Sequence, residues 1–220
     1  MSGGPRFLYL HGFASGPSSS KGVAVAAHFA ARGVAVERLD LRRPSLEHLR
    51  VSEGMKTVRD AIGGPSERVV IMGSSLGGLT AARVAEIDAR VAALLLLAPA
   101  FRILARWRKR LGEAQWSAWE RDGALAIDDY VTKRRTSVDF EFTRDLAMVD
   151  APNDGWPDLR VPTWIIHGRG DETVPIENSR AFVKDKRHAR LIEVDDGHEL
   201  VASLPRILNE ADAFFASFFG

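Results

Sequence analysis

Residues 68–85 read RVVIMGSSLGGLTAARVA, and this stretch decides the fold class. Its first part, Val69–Met72, is apolar and typical of a buried strand, whereas the part after Leu79 is typical of a helix. Between them lies GSSLG, residues 73–77, which has the pattern G-x-S-x-G. Between a strand and a helix, this pattern predicts a sharp turn that exposes the middle serine above the edge of a sheet. We therefore predict that Ser75 is a nucleophile.

The same residues have a plainer interpretation. Ser75 would also suit an ordinary helix start, as an N-cap serine followed by loop glycines at positions 77 and 78. The nucleophile interpretation requires two partners, a base and an orienting carboxylate, in the chain order serine, acid, histidine. Both partners are found downstream.

Asp171 is the predicted orienting acid. It follows the apolar segment Thr163–His167, which is typical of a strand, and lies in a loop that reads RGDETVP. Parallel α/β sheets place their sites at the carboxyl ends of the strands. Glu172 is the nearest alternative, and an aspartate after a glycine is also common in turns.

His198 is the predicted base. It follows the strand-like segment Arg190–Val194 and the turn formed by residues 195–197. His188 precedes that strand in a charged segment, and we expect His167, at a strand end, to be a hydrogen-bonded structural residue. Two further histidines fall on helix-like segments and are expected to be surface or packing residues: His28 and His48.

The oxyanion hole is predicted near the N-terminus. The short apolar strand Phe7–Leu10 is followed by His11, Gly12 and Phe13. Two backbone N–H groups must point at the developing negative charge. One comes from the residue after the nucleophile, Leu76, and the other from the loop after an early strand, which predicts Phe13. His11 is a candidate substrate contact.

These segments together resemble an α/β hydrolase, and closely the small bacterial YqiA/YcfP-type esterases. The similarity lies in residues 9–13 (YLHGF), 16–21 (GPSSSK), 73–78 (GSSLGG), 168–175 (GRGDETVP) and 197–198. It covers most of the chain and is weakest between about residues 101 and 150. The resemblance implies hydrolysis of carboxylic esters, with thioesters as a frequent variant, and catalysis without a cofactor. It does not indicate which acyl chain or alcohol is used.

Strand-like and helix-like segments alternate, which predicts one α/β domain with a mainly parallel sheet of about six or more strands. A helix is expected from Ser45 to about Ile62, and another from Ser75 to about Ile87. A C-terminal helix, from about Pro205 to Phe218, is amphipathic and should pack on the sheet. The predicted strands are Phe7–Leu10, Val34–Asp40, Val69–Met72, Val91–Leu97, Thr163–His167 and Arg190–Val194.

Residues 100–155 interrupt this alternation and are predicted to form a lid or cap insertion. Three of the five tryptophans lie there, and Trp107 and Trp116 are candidate substrate contacts. The insertion also carries a basic run, residues 102–110. It could meet an acidic head group, but nearby acidic residues favour a solvated helix face.

Composition is consistent with a single enzyme domain of 220 residues with 45% hydrophobic residues. The net charge of +1 gives no reason to expect nucleic acid or a membrane surface as partner. The absence of cysteine excludes a cysteine nucleophile and thiolate metal sites. We expect no metal, no secretory signal and a cytoplasmic protein, with a small acyl ester or thioester as substrate. An acyltransferase using the same triad, and a non-catalytic binding protein, remain alternatives.

Overall fold

Strands and helices alternate along the chain in the computed structural model, which describes residues 4–219. The strands are β1 (Arg6–Leu10), β2 (Val36–Leu39), β3 (Val69–Ser74), β4 (Val91–Leu97), β5 (Ala124–Asp129), β6 (Arg134–Asp139), β7 (Thr163–Gly168) and β8 (Ala189–Val194). The helices are α1 (Ser20–Ala30), α2 (Val51–Ile62), α3 (Leu76–Ile87), α4 (Ile103–Asp122), α5 (Glu141–Asp150), α6 (Ile176–Val183) and α7 (Leu204–Phe219). A short 3-10 turn spans Pro152–Gly155.

Six strands form one sheet in the order β2-β1-β3-β4-β7-β8, and every neighbouring pair is parallel. The predicted sheet and its six strands are therefore confirmed. Because all the strands run the same way, the ends of β1, β3, β7 and β8 meet at one edge. The loops that carry the predicted site residues all leave from that edge.

Helices cover both faces of the sheet, so alternate residues of a central strand are buried on opposite sides. In β3, Ile71 packs into the cluster beneath α2 and α3, whereas Val70 packs into the cluster beneath α1 and α7. The C-terminal helix packs on the sheet as predicted: the Phe215 ring lies 4.8 Å from that of Phe7. Within residues 4–219, every helix is too short or too polar to cross a bilayer.

The helix predicted from Ser45 begins only at Val51. Residues 45–50 form turns instead, in which the Ser45 hydroxyl accepts a hydrogen bond from the His48 amide at 3.2 Å. Leu46 and Leu49 are both buried there. Two apolar residues three apart fit a helix, but a folded turn can bury the same pair.

The insertion between β4 and β7 contains a feature that the sequence analysis did not predict. β5 and β6 form an antiparallel hairpin separate from the main sheet. It packs on α4, because the buried Trp119 indole donates a hydrogen bond to the Val138 carbonyl at 2.9 Å. α4 is not straight, since Gly112 adopts φ 73° and ψ 160°. Trp119 and Val138 belong to the same core cluster as the residues on one face of the sheet.

Candidate active site

Ser75 lies at the turn between β3 and α3, as predicted. Its backbone adopts φ 54° and ψ −117°, which residues with a side chain rarely adopt. Hydrogen bonds on both sides hold it there: its amide donates to the Leu97 carbonyl at 2.8 Å, and its carbonyl accepts from the Gly78 amide at 2.9 Å. The strained turn is therefore fixed by its surroundings, which raises the Ser75 side chain toward the sheet edge.

Two glycines make this turn sterically possible. A Cβ atom on Gly73 would lie 2.5 Å from the Gly77 carbonyl oxygen. A Cβ atom on Gly77 would lie 2.7 Å from the Leu10 carbonyl carbon. Both contacts are with backbone atoms, of the sheet or of the turn between β3 and α3, so no side chain can move aside to relieve them. The pattern G-x-S-x-G is thus a packing requirement of this turn.

The structure brings the three predicted catalytic residues together. The His198 Nε2 atom lies 3.0 Å from the Ser75 hydroxyl, and its Nδ1 atom lies 2.7 Å from the Asp171 carboxylate. This geometry fits an imidazole that donates from Nδ1 to Asp171 and accepts the serine proton at Nε2. The His198 side chain is 16% exposed and that of Asp171 is 0% exposed. Glu172, the alternative acid, is exposed to solvent.

Asp171 is held in its ionised form. Burial by itself would raise its pKa, but hydrogen bonds from His167, His198 and the Val174 amide outweigh that effect and hold the pKa well below its usual range. The second carboxylate oxygen accepts the Thr173 and Val174 amides, each at 2.8 Å. A fixed negative charge beside the imidazole is what an orienting acid must supply.

His167 is a buried, hydrogen-bonded residue, as expected, but the sequence analysis missed its partner. Its Nε2 atom lies 3.1 Å from the Asp171 carboxylate, and its Nδ1 atom lies 2.7 Å from the Ser179 hydroxyl. Asp171 thus contacts two imidazoles. The only signal in the sequence was that His167 lies four positions before Asp171.

The loop after β1 lies against Ser75. A Cβ atom on Gly12 would lie 3.2 Å from that of Ser75. His11 is buried and does not line the cleft described below; its Nε2 accepts the Leu41 amide at 3.0 Å and its Nδ1 lies 2.9 Å from the Gly12 carbonyl. The imidazole is therefore neutral with its proton on Nδ1, and burial lowers its pKa. The Phe13 N–H is trans to that carbonyl and points away from His11.

A cleft of about 880 Å³ opens above Ser75 and His198. Part of its wall is apolar and comes from the insertion, which includes α5: Ile103, Trp107, Leu111, Leu125, Ile127 and Phe142. Another part is polar and comes from β1, the loop after it, the start of α1 and the turns beside Ser75 and His198: Tyr9, Ser15, Ser18, Ser19, Ser20, Lys21, Ser74 and Glu199.

The two candidate tryptophans of the insertion have different positions. Trp107 lines the cleft, and its ring lies 5.0 Å from that of Phe13. Trp116 is not among the residues that line it: it is buried against Trp119, with ring centres 5.7 Å apart. Nine positions separate Trp107 from Trp116, about two and a half helical turns, so the two side chains do not share a face. Only Trp107 is placed to contact a substrate.

The basic run of α4 is largely paired. Arg108 forms a hydrogen bond with Glu113 at 3.0 Å, and Arg106 donates to the Glu172 carbonyl at 2.9 Å. Arg110 lines the cleft. No group of three or more histidine, aspartate or glutamate side chains is arranged to hold a metal ion in the part of the chain that the structure describes.

Solved structures share this architecture over nearly their whole length. Mouse alpha/beta hydrolase domain-containing protein 10 superimposes with a TM-score of 0.79 at 20% identity, covering 97% of this chain and 90% of that one. A Paleococcus ferrophilus monoacylglycerol lipase gives 0.72 at 19% identity, covering 96% of each chain. The esterase domain of a Rhodothermus marinus protein gives 0.68 at 19% identity, covering 100% and 90%. At these identities the likeness establishes the fold.

Sequence comparison supplies the family. No curated protein sequence matches this chain. Residues 6–216, however, match the profile of an uncharacterised protein family, UPF0227. That segment contains all the cleft and turn residues described above. The chain therefore belongs to the UPF0227 family and has the α/β-hydrolase fold.

Proposed function

We propose that this protein is a serine hydrolase that cleaves carboxylic esters or thioesters. One observation carries the proposal: the hydrogen-bonded series Ser75–His198–Asp171, with distances of 3.0 and 2.7 Å. A serine is a weak nucleophile unless a positioned base accepts its proton. Here the base is within reach, and the acid behind it is ionised and buried.

The proposed reaction has two steps. Ser75 Oγ attacks the acyl carbon while His198 Nε2 accepts the hydroxyl proton, and His198 then protonates the departing alcohol or thiol. Water enters, gives its proton to His198 and attacks the acyl-enzyme, which releases the acid and restores Ser75. Asp171 keeps the imidazole in the required tautomer and stabilises the imidazolium.

The oxyanion would be stabilised by the amides of Leu76 and Phe13. Leu76 is the first residue of α3, so its amide is one of the helix N–H groups without a partner in the preceding turn. Phe13 follows Gly12, which is packed against Ser75. Loss of one such donor typically costs about 10²–10³ in rate.

The insertion, residues 100–155, would serve as a lid within one hydrolase domain. Trp107 and its apolar neighbours offer a surface for an acyl chain. A monoacylglycerol lipase and an esterase domain are among the proteins with a similar fold, which is consistent with ester chemistry. A shared fold does not fix function, so the proposal rests on the site residues of this chain.

The test is covalent labelling with a fluorophosphonate, followed by peptide mass mapping. We expect a single adduct on Ser75 that is lost in Ser75→Ala and strongly reduced in His198→Ala. Hydrolysis should also fall in acid, because only the neutral imidazole accepts a proton. Folded protein that gives no adduct, or a rate that stays flat down to about pH 4, would overturn the proposal.

A further inference from the structure

The segment Gly16–Lys21 has no part in the proposed reaction, yet it forms one end of the cleft. Four of its residues line the cleft beside the nucleophile: Ser18, Ser19, Ser20 and Lys21. It leads directly into α1, whose first turn therefore faces the site. The groups gathered at this end are mostly hydrogen-bond donors.

Lys21 is the cation of this region. Its side chain is 12% exposed, and Nζ donates to the Glu199 carbonyl at 2.6 Å. The Glu199 carboxylate, 76% exposed, lies farther off at 3.7 Å. An ammonium has three N–H groups, so donors remain for a ligand. Glu199 directly follows His198, so this hydrogen bond holds the ammonium next to the segment that carries the proposed base.

Tyr9 is a second donor at this end. Its side chain is 1% exposed, and its hydroxyl has no hydrogen-bond partner among residues 4–219. Burial raises its pKa to about 12, although the nearby Ser19 and Ser74 hydroxyls act in the opposite direction. The phenol therefore stays protonated. A buried phenol that meets no acceptor in good hydrogen-bond geometry is unusual, and its nearest polar neighbours are the Ser19 and Ser74 hydroxyls.

The first turn of α1 adds backbone donors. The Ser19 hydroxyl caps this helix by accepting the Gly22 amide at 3.3 Å. Within the described part of the chain, the Ser20 and Lys21 amides have no acceptor. The positive end of the helix dipole lies at the same place, and it favours a negative charge.

We infer that this end of the cleft binds an anionic group, a phosphate or a carboxylate, carried by the alcohol or thiol part of the substrate. The inference rests on the proposed function, since it adds the leaving-group class to the same site. Lys21, Tyr9 and the α1 amides surround the anion, while the apolar wall around Trp107 receives the acyl chain.

Paired substrates test this and separate the two kinds of anion. For a carboxylate, the butyrate ester of 4-hydroxybenzoate is compared with the neutral, isosteric ester of 4-hydroxybenzamide. For a phosphate, the butyrate ester of glycerol phosphate is compared with monobutyrin. We expect kcat/KM to favour at least one anionic member by about tenfold, the size of one charge-assisted hydrogen bond. Equal rates within both pairs would overturn the inference.

Variants locate the anion. Lys21→Met should reduce the anionic-to-neutral ratio by about tenfold, Lys21→Arg should retain most of it, and Tyr9→Phe should reduce it by about threefold. Lys133→Met is the matched control, because Lys133 lines the same cleft from the hairpin. A ratio that falls in Lys133→Met but not in Lys21→Met would place the anion at the other wall and contradict the inference.

A binding measurement keeps this result independent of turnover. Inorganic phosphate and 4-hydroxybenzoate are titrated calorimetrically into Ser75→Ala, with and without Lys21→Met. Binding of either that weakens about tenfold on loss of Lys21 supports the subsite even if no ester is cleaved, in which case only the proposed function fails. Cleavage of neutral esters without any Lys21-dependent preference or binding would leave the hydrolase and remove the subsite.

Discussion

Ser75 can be tested through its backbone as well as its side chain. The φ of 54° and ψ of −117° at this residue lie in a region that glycine adopts freely. We predict that Ser75→Gly is more stable to unfolding than Ser75→Ala. Both variants remove the hydroxyl and its hydrogen bond to His198, so their difference isolates the backbone and the β-carbon.

The expected difference follows from three effects. Relief of a strained non-glycine backbone is worth about 1–3 kcal/mol. Against it stand the greater chain freedom of glycine in the unfolded state, about 0.4–1 kcal/mol, and loss of a partly buried β-carbon, less than about 0.8 kcal/mol. The balance is about 1 kcal/mol in favour of Ser75→Gly, which corresponds to about 2–4 °C in Tm.

Urea unfolding followed by tryptophan fluorescence measures this difference, provided both variants share the same m-value. Differential scanning calorimetry gives the matching Tm values. If Ser75→Gly were equal to or less stable than Ser75→Ala, the backbone at Ser75 would not be strained, and the conclusion drawn from its φ and ψ would be refuted.

Three further results are expected. Gly77→Ala should yield no soluble folded protein, because its β-carbon meets sheet backbone, whereas Gly64→Ala, with open space around it, should express normally. Trp119→Phe should cost about 1 kcal/mol in urea unfolding by removing the buried hydrogen bond from the indole to the Val138 carbonyl; an unchanged midpoint would contradict this. The pKa of Asp88 is lowered from 3.8 to about 2, chiefly by its hydrogen bond from Arg90. Its contribution to stability is therefore complete above about pH 3.8 and lost as pH falls through about 2, so Asp88→Asn should show a shallower acid loss, measured by unfolding at pH 5, 4 and 3.

The sheet and the triad geometry could be predicted because short-range rules govern them. Ser75, Asp171 and His198 each lie after an apolar run typical of a strand, and parallel strands bring their following loops to one edge. The glycines around Ser75 mark the turn because strand and helix backbones approach too closely there for any side chain. None of this required knowledge of distant contacts.

The remaining features depend on contacts that sequence patterns do not reveal. His11 precedes a glycine near the nucleophile and therefore resembled a substrate contact, but its ring bonds the backbone of Leu41, thirty positions away. Trp107 and Trp116 were treated alike because both are aromatic residues of the insertion, and only the packing of Trp116 on Trp119 shows which of them is buried. The hairpin was missed because β5 is short and half exposed and its tip, residues 130–133, lacks an Asn-Gly or Asp-Gly pair.

The shared core beneath the insertion limits how this fold could be re-engineered. Trp119, Val138 and Phe142 belong to the same buried cluster as Ile71 in the sheet. A graft that exchanged residues 100–155 for the corresponding segment of another protein of this fold would remove part of the domain's own interior. Specificity is therefore better altered at the few side chains that face the cleft, such as Leu125 and Ile127, while their buried neighbours are retained.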